Sequence, residues 1–397
     1  MTKEEIFQGY KDFLVPSYTK VPLIFVKGKG SYLWDIDGKK YLDFFPGWGV
    51  GNVGHCHSKV MTAIRDQVSK LIFIPNNYYH IAQAKLAKEL NFWSRKPYKV
   101  FFGNSGAEAN EAAIKLSRKF GKGRYEIITF LDSFHGRTMA TISATGQKKY
   151  QEGFAPLVQT FTHVPFNDLG AVKAAINDNT VAIMLELVQG EGGVRIAAPE
   201  FVTGLRELCD KHSLLLIVDE VQTGIGRIGT MFAWQQFGIE PDIFTLSKAL
   251  AGGLPIGVMM AKPELADLLA PGTHASTFGG GPVICRAALA VLKAVQKEKM
   301  LANAKKAGQD LRDALNGLKE KHAIIKDVRG KGLMCGVELS VPGKSIVEAC
   351  TQQGLLINCT HGNVLRIMPA LNVTNNQIKR AVAILDSALD SFAAAAR

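Results

Sequence analysis

Short apolar runs without polar alternation recur along the chain, each stopped by a glycine or a polar pair. The clearest, Leu214-Leu215-Leu216-Ile217-Val218, ends in Asp219-Glu220. Such a run predicts a strand covered on both faces, the pattern of a parallel sheet under helices. Lys99–Phe102, Glu126–Phe130, Val181–Leu187 (with Glu186 inside it) and Pro241–Leu246 also read as strands. Amphipathic stretches predict helices over Met61–Leu71 and His80–Phe92, and another helix opens after Ser105-Gly106. Upstream, residues 1 to about 20 are helix-like. Strands are then expected over Leu23–Val26, Tyr32–Asp35 and Tyr41–Phe44, with Lys27-Gly28-Lys29-Gly30 as one turn and Asp37-Gly38 as a hairpin turn. From residue 283 a smaller α+β region begins. Its helices run from Cys285 to about Glu298, from Leu301 to about Lys321, over Ile346–Gln352 and from Asn375. Its strands are placed near Val328 and over Lys331–Leu339, Leu355–Asn358 and Val364–Ile367. The alanine-rich end, 392–397, is expected to fray.

Two residues at strand ends carry the first chemical signal. A carboxylate at the carboxyl end of a buried strand, here Asp219, sits where open α/β sheets bind ligands. Lys248 follows the 241–246 strand among apolar and glycine neighbours, surroundings that disfavour its charged form and make the amine nucleophilic. Either residue alone reads as a capping aspartate or a snorkelling lysine. Together they could supply the amine that binds pyridoxal phosphate as a Schiff base and the carboxylate that keeps its ring nitrogen protonated. The turn Gly103-Asn104-Ser105-Gly106-Ala107 leads from a strand into a helix, a geometry that offers free N–H groups to a phosphate; the plainer reading is a helix cap. Phe134 and Arg137 lie beyond another strand end, where an aromatic could stack on a ring and an arginine could fork a carboxylate.

Composition narrows the alternatives. The chain has 397 residues, 47% hydrophobic and 21% charged, enough for a large core in two or more lobes. No apolar run approaches a membrane span, and the acidic start lacks the apolar core of a targeting segment, so a cytoplasmic protein is expected. A net charge of +12 raises nucleic acid as a partner. The basic residues are scattered among acids, however, which fits small anionic ligands better. The six cysteines show no metal-binding spacing, so no metal is expected, and buried free thiols are the expected state. Gly224-Ile225-Gly226-Arg227-Ile228-Gly229 satisfies the dinucleotide fingerprint G-x-G-x-x-G, but five residues separate it from its strand and no acidic ribose ligand follows.

Taken in order, Asn104–Lys115 (N-S-G-A-E-A-N-E-A-A-I-K), Phe134–Arg137 (F-H-G-R), Gln189–Val194 (Q-G-E-G-G-V), Asp219–Gly229 (D-E-V-Q-T-G-I-G-R-I-G), Ser247–Gly253 (S-K-A-L-A-G-G), Ser276–Gly280 (S-T-F-G-G) and Val364–Pro369 (V-L-R-I-M-P) resemble the class III, fold-type-I pyridoxal-phosphate aminotransferases over almost the full chain. The resemblance implies an α/β fold with a mostly parallel seven-stranded sheet. It divides the chain into an N-terminal segment (1–50) that packs with the small domain, a large cofactor-binding domain (51–282) and a small C-terminal domain (283–397). It implies transfer of a terminal amino group, that of acetylornithine or also succinyl-diaminopimelate, to 2-oxoglutarate, giving glutamate. Ornithine and 4-aminobutyrate are the rival donors, and a cofactor-binding protein without turnover is the non-enzymatic alternative.

The same resemblance assigns roles. Ser105, Gly106 and Ala107 would hold the phosphate of pyridoxal 5'-phosphate, Phe134 would stack on its ring, Asp219 would pair with the ring nitrogen, and Gln222 would approach the ring hydroxyl. Lys248 would bond to the cofactor and then shuttle the proton. Thr277 would reach the phosphate of a neighbouring subunit and Ser276 would lie near substrate, so a homodimer with shared sites is implied. Arg137 would bind a substrate carboxylate. Arg366 would take the α-carboxylate of 2-oxoglutarate or glutamate, with Glu191 masking it while the ω-amino donor is present. Three positions depart from the family pattern: Leu187-Val188 after the glutamate, Gly281 before the proline, and Trp48 at a gating position where relatives carry smaller aliphatics or tyrosine.

Overall fold

The computed structural model describes residues 1–395. Its centre is a seven-stranded sheet in the order Lys99–Gly103, Gly257–Ala261, Ile243–Leu246, Leu215–Asp219, Thr180–Leu185, Glu126–Phe130, Phe161–Val164. Gly257–Ala261 runs antiparallel to both neighbours, and the other pairings are parallel. Every residue of Thr180–Leu185 and Leu215–Asp219 is buried, as unalternating runs require. Alternate side chains enter two separate cores: Leu216 and Val218 join the larger cluster, Leu215 and Ile217 the smaller one under the helix Gly106–Gly121.

The parallel arrangement sends Phe130, Leu185, Asp219 and Leu246 to one edge of the sheet, and the connections leaving that edge carry the polar residues. Several sequence expectations shift. The strand expected over Val181–Leu187 stops at Leu185, so buried Glu186 lies beyond it, where a carboxylate can reach backbone N–H groups. The first N-terminal strand is Phe25–Lys29, so Lys27-Gly28-Lys29 is strand and the turn falls at Gly30, whose φ is 58°. Lys27 pairs with Trp34 and stacks over its ring at 5.0 Å, which explains how a lysine-rich stretch holds the strand. The Asp37-Gly38 turn joins Tyr32–Asp35 to Lys40–Asp43 as expected.

Helices Ser58–Val68, Ile81–Ser94 and Pro282–Lys297 start or end a few residues from their expected bounds. The helix Pro199–His212 and the edge strand Phe161–Val164 were not legible in the pattern. Of the cysteines, Cys209, Cys285, Cys335 and Cys350 are buried and free, but Cys56 is exposed and Cys359 only partly covered.

The C-terminal region forms an antiparallel sheet, Ile325–Lys331, Met334–Leu339, Val364–Ile367, Asn358–Thr360. Leu355–Leu356 instead adds in parallel to Lys40–Asp43 of the N-terminal hairpin. The last helix continues to Ala395 rather than fraying from Phe392; the expectation for 396–397 lies outside the described residues. No helix among the described residues is long and apolar enough to cross a membrane.

Candidate active site

At the sheet's carboxyl edge lies a cavity of about 240 Å³. Gly106, Ala107, Phe134, Arg137 and Glu191 line it from the first half of the chain, and Asp219, Gln222 and Lys248 from the second. Ser105 does not line it. It is the N-cap of the helix Gly106–Gly121, its hydroxyl accepting from the Glu108 N–H at 3.1 Å, which leaves the amino end at Gly106 and Ala107 facing the cavity. The backbone is drawn in tightly here: a Cβ at Gly257 would sit 2.0 Å from the Ser105 carbonyl oxygen.

Asp219 is nearly fully buried, and both its oxygens are held. Oδ2 accepts from Asn110 Nδ2 and faces His135 Nδ1, each at 2.8 Å, while Oδ1 accepts from the Val221 N–H at 3.0 Å. Asn110 in turn donates to the His135 carbonyl and accepts from Thr245. Among the described residues, the far ring nitrogen of His135, Nε2, is buried without a partner. Neither Asn110 nor His135 had been assigned a role. Asn110 was detectable as the one amide on the buried face of an alanine-rich helix; His135 carried no signal beyond its motif.

Lys248 opens a short 3-10 turn with a left-handed backbone, φ 41°. Burial lowers its amine below the usual lysine range, against the opposing pull of Glu191. Glu186 lines the same cavity, its Oε2 accepting from the Phe134 N–H at 3.0 Å. Burial pushes its carboxyl up to about 7; His135 opposes this and Asp219 adds to it. The Phe134 ring meets Tyr150 edge-on at 5.6 Å, and the exposed Arg137 guanidinium lies 4.1 Å from the Tyr150 ring centre. Tyr150, which steadies Arg137 through its ring, was also missed in the sequence.

Arg366 is fully buried and does not line the cavity, because Glu191 stands in front of it. Glu191 Oε1 lies 2.8 Å from Arg366 Nη1. Burial alone would raise the Glu191 carboxyl, but Arg366 outweighs it and holds the carboxyl below the ordinary range. Gln222 donates to the Trp48 carbonyl at 3.1 Å. Trp48 is 51% exposed with φ 56° and sits between Gly47 and Gly49, which are also left-handed.

Ser276 and Thr277 are not brought to this cavity within the chain. Ser276 accepts from Asn104 and the Gly279 N–H in a separate recess, and Thr277 is exposed. The glycine motif 224–229 forms turns, not a strand-to-helix phosphate loop. Its Arg227 is fully buried and donates to the Leu333 and Pro369 carbonyls and to Asn52, a structural clamp the pattern did not reveal. Away from the cavity, His322, Asp386 and Asp390 come together, and the Lys321 ammonium lies 2.8 Å from each carboxylate.

An open helix amino end, an aromatic face, a buried carboxylate with fixed hydrogen bonds and an amine of lowered basicity converge on one cavity. These residues fit pyridoxal 5'-phosphate: anion, ring, ring nitrogen and aldehyde each meet the chemistry they need.

Comparison with known proteins gives a consistent picture. A family model for class-III aminotransferases matches residues 14–389. The acetylornithine aminotransferase of Caldanaerobacter subterraneus subsp. tengcongensis is 48% identical over 388 residues, covering 96% of this chain and 98% of its own. Among solved structures, an ornithine aminotransferase from Toxoplasma gondii, reported with partial occupancy of PLP at its active site, superposes with a TM-score of 0.94 at 32% identity, covering 98% of this chain and 94% of its own. The acetylornithine aminotransferase of Elizabethkingia anophelis superposes with a TM-score of 0.88 at 31% identity, covering 98% and 100%.

Proposed function

This chain belongs to the class-III aminotransferases, and from that premise we propose that it moves the terminal amino group of N2-acetylornithine to 2-oxoglutarate. The products are N-acetylglutamate 5-semialdehyde and glutamate, a reaction of arginine biosynthesis, and succinyl-diaminopimelate is a second donor of the same kind. The fold is that of fold-type-I transferases, and the cofactor is pyridoxal 5'-phosphate. When bound, it supplies an electron sink for the pair left behind as a proton leaves the carbon that bears the amine.

The residues divide the work. The N–H groups at Gly106 and Ala107 would hold the phosphate, with the Ser105 cap ordering the turn, and the Phe134 ring would pack on the cofactor. Asp219, clamped by Asn110, His135 and the Val221 N–H, keeps a carboxylate at the ring nitrogen. Gln222, which lines the cavity, would approach the ring hydroxyl. Lys248 anchors the cofactor and moves the proton at the reacting carbon, a task its burial suits by favouring the neutral amine. Arg137, exposed at the cavity wall, takes a substrate carboxylate.

The observation that carries the choice of reaction is the Glu191–Arg366 pair. The donor presents its reacting amine far from its carboxylate, so Arg366 must be covered while it binds. Glutamate reacts beside its α-carboxylate, so Arg366 must then be free. Glu191 on Arg366 serves the first half-reaction and, swung away, the second.

Several further features belong to this reading. Thr277, exposed and outside its own chain's cavity, serves the phosphate of a second copy in a homodimer, and Ser276 lies near that substrate. The exposed Leu71, Ile72 and Phe73, the last with its ring 5.5 Å from that of exposed Phe278, support an interface beside it. The division into 1–50, 51–282 and 283–397 is supported by the pairing of Leu355–Leu356 with Lys40–Asp43, which ties the N-terminal segment to the C-terminal region. A cytoplasmic location fits this metabolic role.

The structural likeness to ornithine aminotransferases makes ornithine the second reading. Stopped-flow half-reactions with acetylornithine, ornithine and 4-aminobutyrate test the choice. Acetylornithine should react fastest; a faster reaction with ornithine or 4-aminobutyrate, with Trp48 as the gate, would reassign the donor.

A further inference from the structure

Arg366 has no exposed surface and carries five N–H donors, so each needs an acceptor from the protein or from a ligand. Nε and Nη2 both donate to one atom, Oδ1 of Asn358, at 3.2 and 3.0 Å. Nη1 donates to the Gly190 carbonyl at 2.9 Å and meets Glu191 Oε1 at 2.8 Å, with Gln222 Oε1 at a long 3.4 Å. Among the described residues, Glu191 is thus the one anion bonded to this guanidinium; Asn358, Gly190 and Gln222 are neutral. A guanidinium offers a carboxylate two forks, its Nε–Nη2 edge and its Nη1–Nη2 end. Asn358 closes the edge, while Nη1 at the end meets Glu191, which itself lines the cavity.

The placement is built into the sheet. Asn358 is the cross-strand partner of Arg366 between Asn358–Thr360 and Val364–Ile367. Two residues on, Thr360 donates its hydroxyl to the Glu191 carbonyl at 2.6 Å. One short strand therefore holds the edge of the guanidinium, whose face also packs over the Phe45 ring at 4.8 Å, and the backbone of the glutamate that covers it, so an exchange of partners needs only the Glu191 side chain to rotate.

We propose that Asn358 is the positioning residue that adapts Arg366 to alternating anions. Its amide oxygen holds the guanidinium without neutralising it, so the full charge passes between Glu191 and the α-carboxylate of a 2-oxo or 2-amino dicarboxylate. This rests on Arg366 being the α-carboxylate site. A carboxylate at 358 would neutralise Arg366 permanently and repel the incoming one; a side chain without an acceptor would merely loosen the plane.

The test uses the holoenzyme carrying Glu191→Gln, so that displacement of Glu191 does not enter the comparison. Into this parent are placed Asn358→Asp, Asn358→Ala and, separately, Arg366→Ala. Glutarate, a dicarboxylate with no reacting group, is titrated by calorimetry, and KM and kcat for 2-oxoglutarate are measured. Asn358→Asp, though isosteric, should weaken glutarate about tenfold or more, as a like charge in a buried carboxylate site does. It should raise KM for 2-oxoglutarate in proportion while kcat stays within about threefold, the signature of lost binding common to ground and transition states. Asn358→Ala should weaken glutarate less than Asn358→Asp, the reverse of a purely structural role. An Asn358→Asp variant that binds glutarate as well as the Asn358→Ala variant overturns the proposal, provided Arg366→Ala abolishes binding. If Arg366→Ala leaves glutarate binding intact, Arg366 is not the carboxylate site, and both readings fall. Should the aspartate variant misfold, Asn358→Ser, which keeps a neutral acceptor, must bind glutarate at least as well as Asn358→Ala for the proposal to stand.

Discussion

Replacing Glu191 with glutamine removes one charge from a pair whose cationic member has no exposed surface. At 2.8 Å the contact is a charge-assisted hydrogen bond between two ions, near the upper end of the class of about 1.5–3 kcal/mol for charged groups; a glutamine would still accept from the charged guanidinium, but at the lower end of that class. The difference, about 1.4 kcal/mol, is what glutamate or 2-oxoglutarate no longer has to displace, so that half-reaction should accelerate about tenfold in kcat/KM. The acetylornithine half-reaction should move the other way. Its amine-bearing arm would face a guanidinium whose partners, Asn358, Gly190, Gln222 and the Phe45 ring, are all uncharged, and the donor's own carboxylate would be drawn to Arg366 in an unproductive pose. A loss of similar size there shifts the ratio of the two rate constants about 100-fold. Single-turnover stopped-flow spectra of each half-reaction, recorded separately, measure that ratio directly. Arg366→Ala should shift it in the opposite sense, and Arg137→Ala should lower both constants. Equal losses in both half-reactions for Glu191→Gln would refute the exchange.

Lys248→Ala should abolish transamination and the borohydride-stable cofactor adduct, and wild-type levels of either would remove Lys248 from its role. Asp219→Asn should keep the fold yet lose about 100-fold in rate if about 3 kcal/mol of its ion pairing is felt in the transition state; a rate within about threefold of wild type would exclude it as the ring partner. Glu186, raised from 4.5 to about 7, binds its proton more tightly folded than unfolded, so its contribution to stability is largest below pH 4.5 and is lost as the pH rises through about 7. The apo Glu186→Gln variant should therefore gain up to about 3 kcal/mol relative to wild type between pH 5 and 8, read from urea midpoints; a pH-independent difference would contradict the assignment. Arg227→Met should cost about 3 kcal/mol or more by stranding the Leu333 and Pro369 carbonyls and Asn52, and a loss below about 1 kcal/mol would show that the clamp carries little.

Local pattern was enough for the sheet and for the residues at its edge. Unalternating runs such as Leu214–Val218, too short for a helix and stopped by polar residues, read as strands buried on both faces, and a chain emerging from such strands places Asp219 and the turn before Lys248 at one edge. The helix start after Ser105 was legible for the same reason, since capping depends on neighbours a few residues apart. The strand of lysines at Phe25–Lys29 misled because its support is cross-strand stacking on aromatics, which no window of adjacent residues contains. Motif resemblance supplied candidate roles, but the partners of those residues came from tertiary structure. Asn110 and His135 reach Asp219 across 109 and 84 residues. Glu191 covers Arg366 because the turn after the Thr180–Leu185 strand is brought against the C-terminal sheet, where Asn358 and Thr360 hold both members. The sequence rejects a nucleotide loop at 224–229 but gives Arg227 no role; its acceptors, contributed by residues 52, 333 and 369, meet it only in the fold. Burial periodicity is a local property and can be read along the chain; a buried hydrogen bond needs two groups whose meeting depends on how sheets and helices pack, and only the folded chain decides that.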